Sequence, residues 1–95
     1  MAKVYVCMLD CTYDAHTECA WSYTTIDKIF SNEESAKNWI DELRMAHHNG
    51  NDGATHQEDI GERWVKGEVY AREYIDIDGR TYQEEFHIQG HEVVD

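Results

Sequence analysis

From Lys3 to Leu9 the chain is apolar on both alternating sets of positions: Val4, Val6 and Met8 on one, Tyr5, Cys7 and Leu9 on the other. A strand with apolar groups on both faces belongs inside a sheet rather than at its edge. Asp10 to Glu18 is polar and reads as a loop. Ala20 to Ile29 returns to strand character, with Trp21, Tyr23, Thr24, Thr25 and Ile26 supplying the aromatic and β-branched side chains that suit a pleated surface. The two segments predict a hairpin with a long connection.

The period then changes from two to 3.6. Ala36, Trp39, Ile40, Leu43 and Ala46 recur at helical spacing, with Glu33, Glu34, Lys37, Asp41, Glu42 and Arg44 filling the other face. Ser31-Asn32-Glu33-Glu34 has the form of a capping box, in which Ser31 and Glu34 would satisfy free backbone N–H groups at the helix start. Phe30 stands ready as a hydrophobic staple before it. The helix is expected to end near His47-His48, where Asn49-Gly50 supplies a stop.

Asn49 to Glu58 is polar and predicts a mobile loop. Trp64 to Ile77 and Thr81 to Ile88 alternate again, with Asp78-Gly79 between them as a two-residue turn signal. That turn would pair Ile77 with Arg80, Ile75 with Tyr82, Glu73 with Glu84, Ala71 with Phe86 and Val69 with Ile88. The Tyr70, Arg72, Tyr74 and Asp76 face would then be solvated. His91 to Val94 reads as a short last strand or a fraying end. The order β-β-α-β-β predicts one α+β domain over residues 1–95: a single antiparallel sheet with one helix packed on one face. The helix stripe would cover Val4, Val6, Val69, Ile75, Phe86 and Ile88.

Charge changes the picture more than composition does. Twenty acidic residues face eight basic ones over 95 residues, a formal net charge of -12. The acids are spread along the chain, not gathered in a tail. A protein that neutralises phosphates needs clustered Lys and Arg, so direct nucleic-acid binding is disfavoured. The field instead favours a basic partner. Three Trp, six Tyr and two Phe supply the core that disordered acidic chains lack. No apolar run is long enough to cross a bilayer and no secretory leader is visible, so a cytoplasmic location in a host cell is expected.

Candidate chemistry is thin. Cys7, Cys11, His16 and Cys19 are zinc-type donors, but their spacing lacks the close pairs of structural zinc sites, and a strand thiol is more often a small core group. Three cysteines also fit reduced thiols better than a disulfide framework. Glu73 and Glu84, opposite each other in the predicted register, could share a proton and do acid–base work, or could be separated by a bulge or stay wet. Asp76-Ile77-Asp78-Gly79 is better read as turn chemistry than as part of a calcium loop. No metal, no cofactor and no enzymatic activity are expected.

The opening Lys3-Val4-Tyr5-Val6, the stretch Ile29-Phe30-Ser31-Asn32-Glu33-Glu34-Ser35-Ala36-Lys37 and the later hairpin resemble small acidic β-β-α-β-β proteins of phages and mobile elements. Some of these are anti-defence factors, including anti-CRISPR proteins that mimic DNA. The resemblance implies an inhibitor that binds a host nuclease or CRISPR effector and blocks its nucleic-acid-binding surface. Glu33, Glu34, Asp41 and Glu42 on the helix, with Asp76, Asp78 and Glu85 near the hairpin, are the expected partner-binding residues. The alternative is a protein-interaction module without mimicry, using Trp21, Tyr23, Tyr70 and Tyr74, or a homodimer formed through a free sheet edge.

Overall fold

The computed structural model describes residues 2–50 and 56–94. It contains β1 (Lys3–Tyr13), β2 (Trp21–Phe30), α1 (Glu33–His48), β3 (His56–Val65), β4 (Val69–Asp76) and β5 (Thr81–Glu92). The strands form one antiparallel sheet in the order β2-β1-β5-β4-β3, with α1 on one face. The α+β class and the single sheet agree with the sequence. The order is β-β-α-β-β-β, one strand longer than the periodicity indicated.

The added strand is β3. Residues expected to be loop, from His56 to Glu58, begin it, and Trp64 ends it beside Val65. The rest of the predicted loop, residues 51–55, lies outside the described residues. A tight turn at 66–68, with Gly67 at φ +72, separates β3 from β4. The alternation from Trp64 to Ile77 therefore crosses two strands rather than marking one.

α1 starts one residue later than its capping-box signal. Asn32 is the N-cap, and its side chain accepts from the Ser35 N–H at 3.2 Å. Asn caps as well as Ser, and such a cap contributes about 1 kcal/mol. The stop falls where expected: Asn49 is the C-cap and Gly50 takes the left-handed conformation at φ +72. The buried stripe is Ala36, Trp39, Ile40 and His47, with Leu43 partly buried beside it.

The helix covers the expected face of β5, with Phe86 and Ile88, but on β1 and β4 it covers the faces opposite to those expected. Tyr5, Cys7 and Leu9 of β1 pack against it with Tyr70, Phe86 and Ile88. Tyr70, Arg72, Tyr74 and Asp76, expected in solvent, are at most 8% exposed. For β4 the cause is the β4–β5 turn. It spans three residues, 77–79, not two: Asp76 N–H donates to the Arg80 carbonyl at 2.9 Å, and Gly79 sits at φ +83. This is a turn closed by a left-handed glycine, the usual form of a three-residue hairpin. The register moves by one: Tyr70 pairs with Phe86, Arg72 with Glu84 and Glu73 with Gln83. A one-residue slip exchanges a strand's two faces. The proposed Glu73–Glu84 carboxylate pair is thereby undone, and the two acids point to opposite faces.

The new register replaces that pair with an attraction. Arg72 Nε donates to Glu84 Oε1 at 2.9 Å, with the two side chains 6% and 13% exposed. The guanidinium carbon also lies 5.3 Å from the Phe86 ring centroid, 5.6 Å from that of Tyr74 and 5.9 Å from that of Tyr70. Removing one partner of a buried pair strands the other charge, which typically costs about 3 kcal/mol. Arg72→Met is expected to lower the unfolding free energy by about that much in urea titrations, and Arg72→Met with Glu84→Leu to recover much of the loss. Equal destabilisation by the single and double variants would show that the pair is not coupled.

Candidate protein-interaction surface

Most basic residues are already used inside the fold. Arg72 pairs with Glu84, Lys37 with Glu33, Arg44 with Glu62, Arg63 with Glu85 and Arg80 with Asp14, at distances between 2.9 and 3.9 Å. Histidines take further acids: His16 lies on Glu73, His47 on Asp59, His48 on Glu62 and His87 on Asp10. Where an acid meets a base, the charges largely cancel. The remaining acids set the sign of the surface.

The charge is unevenly placed. β5 carries Glu84, Glu85 and Glu92 with no Lys or Arg, and β3 carries Glu58, Asp59 and Glu62 against Arg63. β1 holds one acid and one base, Asp10 and Lys3, and β2 holds Asp27 and Lys28. The negative side of the molecule is therefore the helix together with the β5-β4-β3 half of the sheet.

The seven acids singled out from the sequence fall in three places. On α1, Glu34 and Glu42 are exposed, and Glu33 is exposed beside Lys37. Asp41 on the same helix is partly buried and accepts from the Trp64 indole N–H and the Gly67 backbone N–H, both at 3.0 Å. Asp78 is exposed at the hairpin tip. Asp76, beside it in sequence, is 7% exposed and accepts from the Asp78 and Arg80 backbone N–H groups at 3.0 and 2.9 Å, so its carboxylate closes the turn. Glu85 lies on the sheet face away from the helix, in a shallow concavity of about 420 Å³ that Asp10, Glu73 and Arg63 also line. The helix acids and Glu85 therefore cannot meet one flat partner surface together.

A second feature was only partly visible in the sequence. At the end of the sheet beyond the helix, Tyr13 stacks on Trp21 with centroids 4.5 Å apart, and on Tyr23 at 5.6 Å. Tyr82 meets Tyr13 edge-on at 4.9 Å and stacks on Tyr74 at 5.5 Å. Trp21 is 55% exposed, so this cluster reaches solvent. Trp21 and Tyr23 were expected here. Tyr70 and Tyr74 were expected as exposed aromatics but belong to the buried face. Tyr13 and Tyr82 join only because the chain register aligns them across β1 and β5.

The seam between α1 and β3 is polar. Glu62 receives Arg44 at 3.4 Å, His48 at 2.5 Å and the Tyr70 hydroxyl at 3.0 Å, and Arg44 stacks 4.1 Å from the Trp64 ring centroid. Burial works to raise the Glu62 pKa, but the hydrogen bonds from His48 and Tyr70 and the charges of His48 and Arg44 outweigh it, and the net shift is downward. Burial in turn pushes the Tyr70 hydroxyl up. Glu73 is also lowered, first by its hydrogen bond from Gln83 and then by that from His16.

The cysteines do not converge with His16. Cys7 and Cys11 face the core as free thiols, while Cys19 is exposed in the β1–β2 connection. Burial, chiefly, raises the pKa of both Cys7 and Cys11, which keeps them protonated and weak as nucleophiles. Among the described residues, no group of three or more His, Cys, Asp or Glu is placed to hold a metal ion. None of the helices is long and apolar enough to cross a membrane among the described residues.

Comparison with protein-family models, curated proteins and solved structures returns no match.

The lowered carboxylates fix the sign of a pH effect. Their stabilisation is complete above the unfolded value near 4.5 and is lost as pH falls through the lower folded values. Glu62→Gln with Glu73→Gln is expected to weaken the fall in stability between neutral pH and pH about 3 relative to the parent chain. Thermal melts across that range check this, and parallel curves for the two proteins would contradict it.

Proposed function

We propose that the chain is a non-enzymatic inhibitor of the phage type. It binds a basic surface of a host defence protein, a nuclease or a CRISPR effector, and excludes DNA or RNA from that surface. The observation that carries this reading is the pairing of Lys37, Arg44, Arg63, Arg72 and Arg80 with acids of the same chain, which leaves the remaining acids to give α1 and the β5-β4-β3 half of the sheet a net negative sign. Carboxylates fixed on secondary structure stand where phosphates would stand in a basic groove. Their field also speeds encounter with a partner of opposite charge.

Within this reading the helix acids are the contact. Glu34 and Glu42 are exposed on α1, and charge reversal there leaves the core untouched. Asp76 is set aside as a contact because its carboxylate closes the turn. The acids of β3 and β5 contribute long-range attraction rather than direct contacts.

The aromatic end of the sheet supports a second reading, a protein-interaction module without mimicry. Trp21, Tyr13 and Tyr23 would then anchor the partner, as aromatic side chains commonly do at interface centres.

Salt separates the two. Tagged protein incubated with a bacterial lysate is expected to retain a basic nucleic-acid-binding protein at low ionic strength and to release it at high ionic strength. Glu34→Lys with Glu42→Lys is expected to reduce that retention at least tenfold while leaving far-UV circular dichroism unchanged. Retention that survives both high salt and the charge reversal, but is lost on Trp21→Ala, would establish the aromatic reading instead.

A further inference from the structure

The sheet has two edges, and they are built differently. β3 is the guarded one. Its pairing with β4 shifts twice, leaving Gln57 and Ile60 as extra residues, and Glu58, Asp59, Glu62 and Arg63 charge it. Bulges and charges of this kind keep an edge from pairing with another chain. β2 is guarded over its second half only: Cys7 pairs with Lys28 and Met8 with Ile26, so Asp27 is the extra residue of a bulge. The first half, Trp21-Ser22-Tyr23-Thr24-Thr25-Ile26, has no charge, no Gly and no Pro. It pairs with β1 in unbroken register from Trp21 to Ile26. Trp21 and Ile26 are each 55% exposed, and Ile29 beyond the bulge is 59% exposed. Six-residue segments of this composition are those most prone to add a further strand.

We propose that residues 21–26 of β2 pair antiparallel with the same residues of a second copy, joining two five-stranded sheets across a two-fold axis. This is a different surface from that of the inhibitor reading and does not rest on it.

Charge placement favours a second copy as the occupant. A copy with net charge -12 would ordinarily be repelled by another. At this edge the repulsion is weakest, because the two strands nearest the seam, β1 and β2, are each neutral overall. The nearest strand with net charge is β5, two strands in from the edge. In the joined sheet the two β5 strands stand five spacings apart, about 24 Å at ~4.8 Å per strand. That is about three Debye lengths at physiological salt, so the repulsion is largely screened. Pairing also covers Trp21 and Ile26 and satisfies the outward backbone groups of the edge. The association closes on itself, because each copy has one open edge and the remaining β3 edges are guarded.

The test is the oligomeric state of the intact chain, by sedimentation velocity over a dilution series at low and high salt. The parent protein is expected to show a monomer–dimer equilibrium whose dimer share grows with added salt, the reverse of the salt response of a basic-partner complex. Thr25→Lys with Ile26→Lys is expected to be monomeric, although it lowers the long-range repulsion by two charges per copy. Ile60→Lys on the β3 edge is expected to dimerise like the parent. Amide hydrogen exchange on the parent protein gives a reading that needs no variant: protection of residues 21–26 rises with protein concentration while that of β3 does not. A monomer at every concentration in high salt overturns the proposal. So does a Thr25→Lys, Ile26→Lys protein that still dimerises, or a dimer lost only in Ile60→Lys. Concentration-independent exchange at residues 21–26 overturns it too.

Discussion

The fold depends on how Asp76 closes the turn between β4 and β5. Its carboxylate accepts the backbone N–H groups of Asp78 and Arg80, its own N–H pairs with the Arg80 carbonyl, and Gly79 supplies the left-handed residue that ends the loop. A loop of two residues would place Arg72 and Tyr70 in solvent and leave Glu73 facing Glu84. A loop of three places Arg72 opposite Glu84 under the helix and sets Tyr70 against Phe86. Asp-Gly permits both loops, so the choice falls to the faces. In the three-residue register Tyr70 gathers with Phe86, Trp39 and Ile40, and Tyr74 is buried on the same face against His47 and Tyr82, whereas the other face of β4 offers only Val69, Ala71 and Ile75 beside Glu73. Aromatic area outweighs aliphatic area, and Arg72 can follow the rings inward because Glu84 meets it there.

That preference explains what was legible in the sequence and what was not. The helix was plain because its apolar residues repeat at 3.6 and Asn49-Gly50 marks its end. β2 and β1 as far as Leu9 were plain because they alternate, but Asp10 to Tyr13, expected to be loop, continues β1; the β4–β5 hairpin was plain in place though not in turn length. β3 escaped because it does not alternate apolar with polar. Its helix-facing positions are Asp59, Glu62 and Trp64, which bind His47, Arg44, His48 and Asp41 of α1 through ion pairs and hydrogen bonds. Hydropathy cannot report a strand attached by charge. The buried face of β4 escaped for a related reason: Arg72 and Asp76 are polar by type but buried by partnership.

The candidate surface was legible in kind but not in arrangement. Net charge identified a negative protein from composition alone, and Glu34 and Glu42 were correctly assigned to an outer helix face. Composition could not separate acids that carry structure from acids that face solvent. Asp41 and Asp76 look like surface acids in the sequence, yet each accepts two N–H groups and would be missed by the fold if removed. The aromatic end cluster required the pairing of Tyr13 with Trp21 on one side and Tyr82 on the other, which depends on strand register rather than on any local pattern.

The partition of charge also bears on how such a chain can carry an uncharged edge strand safely. A segment like Trp21 to Ile26 invites addition of further strands, and most proteins blunt such an edge locally with Lys, Pro or a bulge. Here the bulge at Asp27 covers only part of β2, and the remaining protection is collective. Any disordered pile of copies would bring the acids of β3, β5 and α1 of neighbouring molecules within a Debye length of one another. A two-fold pairing through β2 alone keeps the β5 acids of the two copies five strand spacings apart and the β3 acids farther still. The same charge that opposes indiscriminate association is therefore compatible with one geometry of self-association, and it leaves the helix acids on α1 outside the seam. An acidic surface and a neutral edge can thus coexist in 95 residues because they occupy different strands of one sheet.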